Sequence, residues 1–538
     1  MKIKVFFAVI LAVLLSFNIM GCKSNPNITS SEPEHFVENA PKNKDYLTLL
    51  YSMSDSFNPY AVKTSINRQL CQLIYEPLVK LDNNFKPVLS IANDVKTEGK
   101  TCTVKINPYK FSDGSTVTAD DVVYSYKLAK SSQTAFATKL YVAESASAVD
   151  SSTVSFKLSK ADPYFINLLT FPIIKAGSEK IADSDSVLQP PIGSGRYKVN
   201  AEKTGLVMNE SFYGEKSSIK EIRLINAPDT ESVTHYAQVG AADIYYNEIS
   251  DGTLLRMSGQ KLDINSNSLL YIGINQNYGA LKQNELRQAL SSGIDRSRVC
   301  QNIYYNNAVA ATGFFHPSWE DVKSVQNIQI EANSQITIEN LEKIGYNSLD
   351  NKGIRKNSLG IPLKLTLLVN SENRTRVAAA QLISSQLLNC GISVTVIEKS
   401  YEKYMECLRN GDFQLYLGEI KLTDNMDISS MVTEGGSAAF GLLKPEDQKT
   451  DTADDKKTDD ETEPTTEEKG KSSGEVVSGF YEGQNTISDI ASVLQNEMPF
   501  IPVCYRTGAL FYNDNIENVD HASESDIYFS IKSYIYNY

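Results

Sequence analysis

Residues 363–400 constrain the fold most, because they contain a complete strand–helix–strand pattern. The three runs are LKLTLLV, then RTRVAAAQLISSQLLNC, then, after Gly391, ISVTVIEKS. The first run alternates, which predicts a strand with Leu363, Leu365 and Leu367 on one face. The second run has helical spacing, which predicts a core-facing stripe at Val377, Ala380, Ile383 and Leu387. This order implies parallel strands joined by a right-handed crossover, and therefore an α/β fold.

A second segment, residues 111–129, combines a tight turn with the start of a helix. It reads FSDGSTVTADDVVYSYKLA. Asp113 and Gly114 predict the turn, and Thr118 followed three residues later by Asp121 predicts a capped helix. TCTVKIN before this segment and VSFKLSK after it predict half-buried strands. Their inward faces carry Cys102, Val104, Ile106, Val154, Phe156 and Leu158. We expect a mixed α+β subdomain here.

The first 44 residues predict export and anchoring. Lys2 and Lys4 precede an apolar run that is shorter than the roughly 20 residues of a membrane span, as in a secretory signal. The sequence IMGC at its end resembles the bacterial lipobox, in which the cysteine, here Cys22, is lipid-modified. We expect a signal peptide at 1–21 and a disordered tether at 22–44. An ordinary signal peptide with an incidental cysteine is the alternative.

Length and charge limit the architecture and the partners. About 500 residues follow the tether, and single hydrophobic cores stop growing near roughly 250–300 residues, so at least two lobes are expected. The net charge of −13 argues against nucleic acid or an anionic membrane surface as a direct partner.

One strongly acidic segment stands apart from the rest of the chain. Residues 445–470 contain eleven acidic and four basic residues and no aromatic residue. Such a composition buries too little apolar surface to order itself, which predicts a disordered insert, taken as 445–475. A strip that binds calcium or a protein partner is the other interpretation, but the spacing of a calcium loop is missing.

The cysteines and histidines give little sign of a metal site or of catalysis. Cys22 is assigned to lipid, and no CxxC spacing occurs among the other six. We expect these to be buried thiols, with disulfides left open: Cys71, Cys102, Cys300, Cys390, Cys407 and Cys504. The four histidines are scattered, and neither GxSxG nor HExxH is present: His35, His235, His316 and His521. A secreted hydrolase is therefore a remote alternative.

The order of several motifs resembles a known family. FSDGSTVTADDV is similar to its F-x-D-G-x-x-(T/S)-A-x-D-V signature, and PIGSGRYKV to its Pro-x-Gly-Thr-Gly-x-Tyr turn, with Ser194 in place of Thr. YIGINQN followed by LRQALSSGIDR resembles a block that begins here at Asn275, and PFIPVCY resembles a late Pro-x-(I/L)-P strand. Together they resemble the extracellular solute-binding proteins, family 5, of peptide and nickel ABC importers. The resemblance covers nearly all of residues 45–520.

The resemblance implies a two-lobe hinged clamp of the type II periplasmic-binding-protein kind. Lobe one would comprise 45–266, with 66–180 as an extra subdomain, and would be completed by 497–538. Lobe two would comprise 267–496 and contain the acidic insert. The chain would cross twice between the lobes and form a hinge there.

The resemblance also suggests where a ligand binds. Peptide-binding members carry a Trp and then an Asp that pairs with the peptide's amino terminus, but the corresponding region here, residues 417–431, has no Trp. It retains charged residues, and we take as candidate ligand contacts Asp427, Glu419, Asp424 and Lys421, together with Asn275. In the alternative interpretation Asp427 caps a following helix and Glu419 pairs with Lys421 at the surface.

The function implied is that of an extracytoplasmic lipoprotein that captures dipeptides or oligopeptides by hinge closure. It would deliver them to the permease and ATPase of an ABC importer, as a monomer held to the membrane only by its lipid. We expect no enzyme activity, cofactor, metal or nucleic acid. A non-peptide solute such as a nickel chelate, haem or sugar, or a role as a peptide sensor, is the alternative.

Overall fold

The strand–helix–strand prediction is confirmed. Strands Lys364–Asn370 and Ser393–Lys399 pair in parallel in a computed structural model of the protein. The structure describes residues 44–131, 133–182, 189–248, 257–323, 325, 330–443 and 471–537. Helix Arg374–Asn389 joins them and begins at Asn373, whose side chain accepts a hydrogen bond from the backbone of Arg376. All four residues of the predicted stripe are buried.

This unit belongs to a seven-stranded mixed sheet. The main strand order is Ile244–Asn247, Phe500–Tyr512, Gln260–Ile274, Leu415–Lys421, Lys364–Asn370 and Ser393–Lys399, with Ala308–Ala310 paired to Phe500–Tyr512. A small hairpin lies beside it, formed by Ser348–Leu349 and Arg355–Lys356. The α-helices of this lobe are Asn284–Ser292, Arg296–Asn302, Glu320–Lys323, Ser334–Lys343, Arg374–Asn389, Tyr401–Asn410, Ser429–Val432, Ser473–Tyr481 and Ile487–Glu497, with a 3₁₀ turn at Gly279–Lys282. They enclose one large apolar core, which defines the second lobe.

The first lobe has a separate core around a four-stranded sheet. Its strand order is Tyr46–Tyr51, Glu221–Asn226, Gly205–Met208 and Tyr197–Val199, and the first two strands are parallel. The helices Ser65–Ile74 and Thr230–Gln238, the 3₁₀ turns Ser178–Lys180 and Ile531–Ser533, and the strand pair Ile516–Glu517 with Ile535–Tyr536 complete it. C-terminal residues such as Tyr528 and Tyr534 pack in this core.

The subdomain has its own antiparallel sheet and core. The strand order is Ala92–Glu98, Thr101–Ile106, Thr153–Leu158 and Ala143–Asp150. Helices Ala119–Ser131 and Ala135–Lys139, the 3₁₀ turn Phe165–Leu168 and the hairpin Val79–Leu81 with Pro87–Leu89 complete it. The predicted inward residues of both strands are buried. Asp121 accepts hydrogen bonds from the backbone and the hydroxyl of Thr118, which confirms the predicted helix start.

The subdomain is shorter than the 66–180 expected from the resemblance. Helix Ser65–Ile74 packs in the first-lobe core instead, and the subdomain core begins at Leu78 and ends at Ile173. The chain enters and leaves the subdomain at neighbouring points, since Pro77 bridges to Pro172 and the backbone of Ile173 donates to Glu76.

Two long antiparallel strands, Gln260–Ile274 and Phe500–Tyr512, connect the lobes, and we call them the crossing strands. Regular pairing runs from Gln260 to Asn265 and resumes at Leu269, so that residues 266–268 lie opposite Arg506 alone. We call this irregular stretch the hinge, because it has the fewest ladder bonds. The first lobe was expected to resume at 497, but residues 500–505 pack in the second-lobe core, and the crossing lies at Arg506.

Three other expectations remain, and two of them lie wholly or largely outside the described residues. The acidic segment 445–470 lies outside them, whereas residues 473–475 already belong to helix Ser473–Tyr481, which begins with a capping box between Ser472 and Glu475. The signal peptide and Cys22 also lie outside. Six cysteines are free thiols, of which Cys390 and Cys407 are half-buried and the others buried. In the described part of the chain, no helix combines the length and apolar character needed to cross a membrane.

Candidate functional site

The second lobe turns the carboxyl ends of two parallel strands towards the first lobe. These are Lys364–Asn370 and Leu415–Lys421, which lie side by side in the sheet. Lys421, at the end of its strand, lies 2.8 Å from Glu524 and 3.6 Å from Glu248, both in the first lobe. Ligands of open α/β sheets bind at the carboxyl ends of the strands, so a ligand site is expected in the space beside the hinge.

Five polar side chains lie beside the crossing strands near the hinge, and we call them the crossing cluster: Tyr304, Arg376, Glu419 and Arg506, which are linked by direct contacts, and Tyr246, which lies on the same strand face as Arg506. Glu419 lies between two arginines, 3.1 Å from Arg506 and 3.2 Å from Arg376. The Arg506 guanidinium lies 5.3 Å from the centre of the Tyr304 ring. The Tyr246 hydroxyl lies against Gly508, because a Cβ there would come within 2.3 Å of it. Gly508 follows Arg506 by two residues and so shares its face of the strand.

The crossing cluster has unused hydrogen-bonding capacity. The hydroxyls of Tyr246 and Tyr304, Arg376 Nε and Glu419 Oε2 are buried without a hydrogen-bond partner in the described structure. Arg376 Nε and Glu419 Oε2 are only 3.2 Å apart, but their orientation does not allow a hydrogen bond. Buried polar atoms are nearly always paired, and exceptions need an explanation. Several unpaired atoms in one place indicate a site that a polar ligand or water completes.

The hinge and the residue after Arg506 each add one more unpaired polar atom. Asn267 is fully buried, and its side-chain nitrogen donates to the backbone of Thr423, which leaves its oxygen without a partner. The hydroxyl of Thr507 is also buried without a partner. The unpaired groups therefore follow the crossing strands.

A second group of contacts joins the subdomain to the second lobe. Lys139 lies 2.6 Å from Asp424, and Lys160 lies 2.7 Å from Asp427. Tyr141 also donates to Asp427. We call these contacts the subdomain latch. Burial alone would raise the pKa of Asp427, but the Lys160 charge and hydrogen bonds from Lys160, Ser429 and Tyr141 bring it below the usual value, so Asp427 is ionised at neutral pH.

The carboxylate of Asp162 lies next to the subdomain latch. It accepts a hydrogen bond of 2.7 Å from the side chain of Asn425 and is almost fully buried. Burial, with a smaller contribution from the Asp427 charge, raises the pKa of Asp162 to about 6. Asp162 therefore titrates closer to neutral pH than an ordinary carboxylate.

Aromatic rings extend the same interface. Tyr164 of the subdomain stacks on Phe480 with ring centres 5.9 Å apart and meets Trp319 edge-on at 4.8 Å. The Lys160 ammonium lies 4.2 Å from the centre of the Tyr481 ring and 5.6 Å from that of Tyr141. Contact of this kind between cation and ring is attractive, most strongly where water is excluded.

Four of the five candidate ligand contacts lie close together in the chain, between residues 419 and 427, but their side chains have different partners. Glu419 lies in the crossing cluster, and Asp424 and Asp427 lie in the subdomain latch. Lys421 does not pair with Glu419, as the surface alternative had it, but with carboxylates of the first lobe. Asp427 also accepts from the backbone of Ser429 at the start of helix Ser429–Val432, which fits its alternative capping role. Ligand contact by these residues stays a prediction.

The fifth candidate, Asn275, lies elsewhere. It follows the far end of the strand Gln260–Ile274, where Ile274 pairs with Leu415, whereas the hinge-side Ser268 pairs with Lys421. Six residues of strand separate these ends, or roughly 20 Å. The Asn275 side chain donates to the backbone carbonyls of Gly411 and Phe413 and so holds a turn.

Four members of the crossing cluster were not among the sequence-based candidates. Arg506 carried a usable signal, because it is the one charged residue in the strand FIPVCYRTGALFY. An arginine inside such an apolar strand must be paired or functional. Tyr246, Tyr304 and Arg376 gave no signal of this kind.

Metal binding receives little support from the described side chains. Within the described residues no group of three or more His, Cys, Asp or Glu is placed to hold an ion. His316 is enclosed between Phe85 and Tyr505, with ring centres 4.9 and 4.7 Å away. Burial lowers the pKa of His316 to about 3, so its ring is neutral.

Comparison with known proteins places the chain in a family. Residues 84–438 match the model of the bacterial extracellular solute-binding proteins, family 5. The oligopeptide-binding protein AppA of Bacillus subtilis is 26% identical over 358 residues, which are 63% of this chain and 66% of AppA. The oligopeptide-binding protein OppA of the same organism is 21% identical over 514 residues, covering 88% of this chain and 90% of OppA.

Solved structures share the fold at low sequence identity. The unliganded open form of the murein tripeptide-binding protein MppA has a TM-score of 0.68 at 17% identity, covering 88% of this chain and 94% of MppA. NikA of Brucella suis, in complex with Fe(III)-EDTA, has a TM-score of 0.62 at 17% identity, covering 91% of this chain and all of NikA. Two lobes joined by two crossing strands, with unsatisfied polar groups between them, define a type II hinged solute-binding protein. The chain belongs to the bacterial extracellular solute-binding proteins, family 5.

Proposed function

We propose that this protein captures short peptides at the crossing cluster and delivers them to an ABC importer as an extracytoplasmic lipoprotein. The crossing cluster carries the proposal, because it places unpaired donors and acceptors at the joint between two lobes. A peptide backbone offers both kinds of partner. Binding there favours the state in which both lobes contact the solute.

The named relatives support a peptide as the solute. AppA and OppA are oligopeptide-binding proteins, and MppA binds a murein tripeptide. The two arginines of the crossing cluster suit the carboxylate of a peptide, and Glu419 suits its amide or amino groups.

A metal chelate is the second candidate. NikA holds Fe(III)-EDTA, a chelate that brings its own metal ligands and carries carboxylates. A protein that binds such a complex needs cations more than metal ligands, and Arg376 and Arg506 provide them. The crossing cluster therefore suits either a peptide or a metal chelate, and measurements of binding decide between the two.

Anchoring and delivery complete the proposal. Cys22 is the proposed lipid-bearing residue, and the lipid would keep the protein near its permease. The resemblance to the binding proteins of ABC importers makes a permease and an ATPase the proposed partners, and the solute-loaded protein the form that they would recognise.

Native mass spectrometry of the protein purified without denaturation tests this function. We expect masses of short peptides that disappear on unfolding and refolding, and calorimetry should then show binding of the recovered peptides to the stripped protein. Recovery and rebinding of a metal chelate, with no peptide bound, would favour the second candidate. Peptides that bind a Glu419→Gln variant as well as the wild type would remove the crossing cluster from the site.

A further inference from the structure

A short helix, Arg296–Asn302, packs along the crossing strand that carries Arg506. Cα atoms of the helix come within 8 Å of Cα atoms of this strand. At the start of the helix, Arg296 Nε donates to the backbone carbonyl of Pro502 at 2.8 Å. Just beyond the end of the helix, the Tyr304 ring centre lies 5.3 Å from the Arg506 guanidinium. The helix and the strand therefore remain in contact along the whole length of the helix.

Two cysteines lie between these two contacts. Cys300 follows Arg296 by four residues and so shares its face of the helix. Cys504 precedes Arg506 by two residues and so shares its face of the strand. The thiols meet there, and the Cys504 thiol donates a hydrogen bond to the sulfur of Cys300. Both side chains are buried, since Cys300 is 6% exposed and Cys504 is fully enclosed.

Three of the other described cysteines contact groups other than thiols. Cys71 donates to a backbone carbonyl at 3.4 Å, and Cys102 and Cys390 each lie beside a threonine hydroxyl. Disulfides require two sulfurs that face each other across closely packed elements, with Cα atoms typically about 4.4–6.8 Å apart. The packed helix and strand place Cys300 and Cys504 in that arrangement.

The chain leaves the helix through a strained turn. Tyr305 and Asn306 have φ angles of 51° and 63°, in the left-handed region that residues with side chains rarely adopt. Such a conformation persists only where surrounding contacts impose it. One end of the turn is held because the backbone of Asn306 donates to the carbonyl of Cys300 at 3.0 Å, and the other because the backbone of Thr507 donates to the carbonyl of Asn307 at 3.1 Å. A bond at Cys300 would fasten the first of these ends.

The two thiols differ in reactivity. The hydrogen bond from Cys504 lowers the pKa of Cys300, and Cys300 is also the more exposed of the two. Because the thiolate is the attacking form, Cys300 is the first nucleophile of the pair. The bacterial extracellular solute-binding proteins, family 5, are extracytoplasmic, and disulfides persist in oxidising compartments outside the cytoplasm.

We propose that Cys300 and Cys504 form a disulfide by exchange with an external disulfide while the chain folds, and that this bond fixes the turn that carries Tyr304 to the crossing strand. The Cys300 thiolate attacks one sulfur of the external disulfide, and the other sulfur leaves as a thiolate. The Cys504 thiolate then attacks the sulfur of Cys300 and releases the second external sulfur. Two electrons thus reduce the external disulfide to two thiols, which take up the two protons that the cysteines lose.

Peptide mapping after refolding tests the bond. The full chain is reduced in urea, refolded with a mixture of oxidised and reduced glutathione, alkylated with N-ethylmaleimide in denaturant and digested without reductant. We expect peptides linked through Cys300 and Cys504, and alkylation of the other four described cysteines. Alkylation of Cys300 and Cys504, or a link from either to another cysteine, would overturn the proposal.

Melting temperatures test whether the bond holds the fold. It closes a loop of about 200 residues, so its reduction in the wild type should lower Tm by about 3–6 °C. The double variant Cys300→Ala/Cys504→Ala should have the same Tm with and without reductant. Cys390→Ala leaves the pair intact and should show the wild-type decrease. Equal Tm values for the oxidised and the reduced wild type would overturn the stabilising role of the bond.

Hydrogen exchange measured by mass spectrometry tests the effect on the turn. In the reduced wild type, amides of residues 303–307 should exchange at least fivefold faster than in the oxidised form, because one end of the turn has lost its covalent link. Residues 348–356, a hairpin elsewhere in the second lobe, are the internal reference and should exchange equally in both forms. An unchanged rate at 303–307, or an equal increase in both segments, would show that the bond does not act on the turn.

Discussion

Arg506 and Glu419 are joined at the point where the chain passes between its lobes. Arg506 lies opposite the irregular residues of the hinge, and its Nη1 donates to Glu419 Oε1 at 3.1 Å. Arg376 lies close to the other oxygen of the same carboxylate, so the one carboxylate of Glu419 pairs with two guanidinium groups. This unequal pairing makes the energetic roles of the three side chains different.

We expect Glu419→Gln to destabilise the protein more than Arg376→Gln does. The first change leaves two arginines without their carboxylate, one of them with a side chain only 4% exposed, and should cost about 3 kcal/mol. The second leaves the Arg506–Glu419 pair intact and removes a side chain that is 24% exposed, so about 1 kcal/mol is expected. Urea denaturation measures both free energies of unfolding, and the reverse order would contradict the unequal pairing.

Tyr246→Phe should separate binding from stability. The Tyr246 hydroxyl is buried without a partner, so removing it should leave the free energy of unfolding within about 0.5 kcal/mol of the wild type. If the hydroxyl contacts the solute, affinity should fall about five- to tenfold. Calorimetry with a recovered solute gives the affinity.

Tyr534→Phe is the matched control for that experiment. The Tyr534 hydroxyl is also buried without a partner, but Tyr534 directly precedes the strand Ile535–Tyr536, which pairs with Ile516–Glu517 in the first lobe. Tyr534→Phe should change neither the affinity for the solute nor the free energy of unfolding appreciably. An equal loss of affinity in both variants would show that the effect does not come from contact at the crossing cluster.

The pH dependence of stability should reveal Asp162. Burial raises its folded-state pKa to about 6, whereas the unfolded value is about 3.9, so the folded protein binds the proton more tightly. The stability that Asp162 contributes is thus complete below about pH 4 and is lost as pH rises through about 6. Between pH 4 and 7 the wild type should lose about 2–3 kcal/mol relative to Asp162→Asn. Parallel pH profiles of the two proteins in urea denaturation would contradict this.

Deleting Glu446 to Lys469 and closing the gap with a short Gly-Ser linker should leave the folded protein nearly unchanged. Both flanks are held independently: the backbone of Leu443 donates to Gln276, and Ser472 begins a capped helix. Loop closure depends only weakly on length, so we expect Tm to shift by less than about 2 °C and solute affinity to stay the same. A larger loss in calorimetry would indicate that the segment packs on the protein.

Cys22→Ala should release the protein from the membrane fraction of the producing cells, because the proposed anchor is a single lipid-bearing residue. Cys390→Ala is the control, since this half-buried cysteine should not affect localisation. Immunoblotting of the membrane and soluble fractions gives the answer. Retention of Cys22→Ala in the membrane at the wild-type level would contradict the anchor.

Local patterns in the sequence predicted local structure well. The unit at 363–400 and the turn and helix at 111–129 were correct because their apolar spacing and capping residues lie within a few positions of each other. The boundary predicted at residue 497, where the chain was to return to the first lobe, was wrong because no local pattern marks the crossing. The strand Phe500–Tyr512 is buried along almost its whole length, so its sequence does not mark where it leaves one core for the other.

The sites depend on contacts that sequence periodicity does not encode. Lys160 and Asp427 are 267 positions apart, and the crossing cluster combines residues from five separate segments. Asp424 and Asp427 were predicted from the sequence as ligand contacts, whereas their pairing with Lys139 and Lys160 could be found only in the folded chain.

The adjacent ends of the subdomain have an evolutionary consequence. The chain leaves the first lobe at Glu76–Pro77 and returns to it at Pro172–Ile173, and these two points lie side by side and are hydrogen-bonded to each other. An ancestor could therefore have gained the intervening segment in one insertion, with the strand order of the first lobe unchanged. Lys139, Tyr141 and Lys160 would have arrived together with it. Because the acids that these side chains face, Asp424 and Asp427, belong to the second lobe, one such insertion would have covered both acids at once.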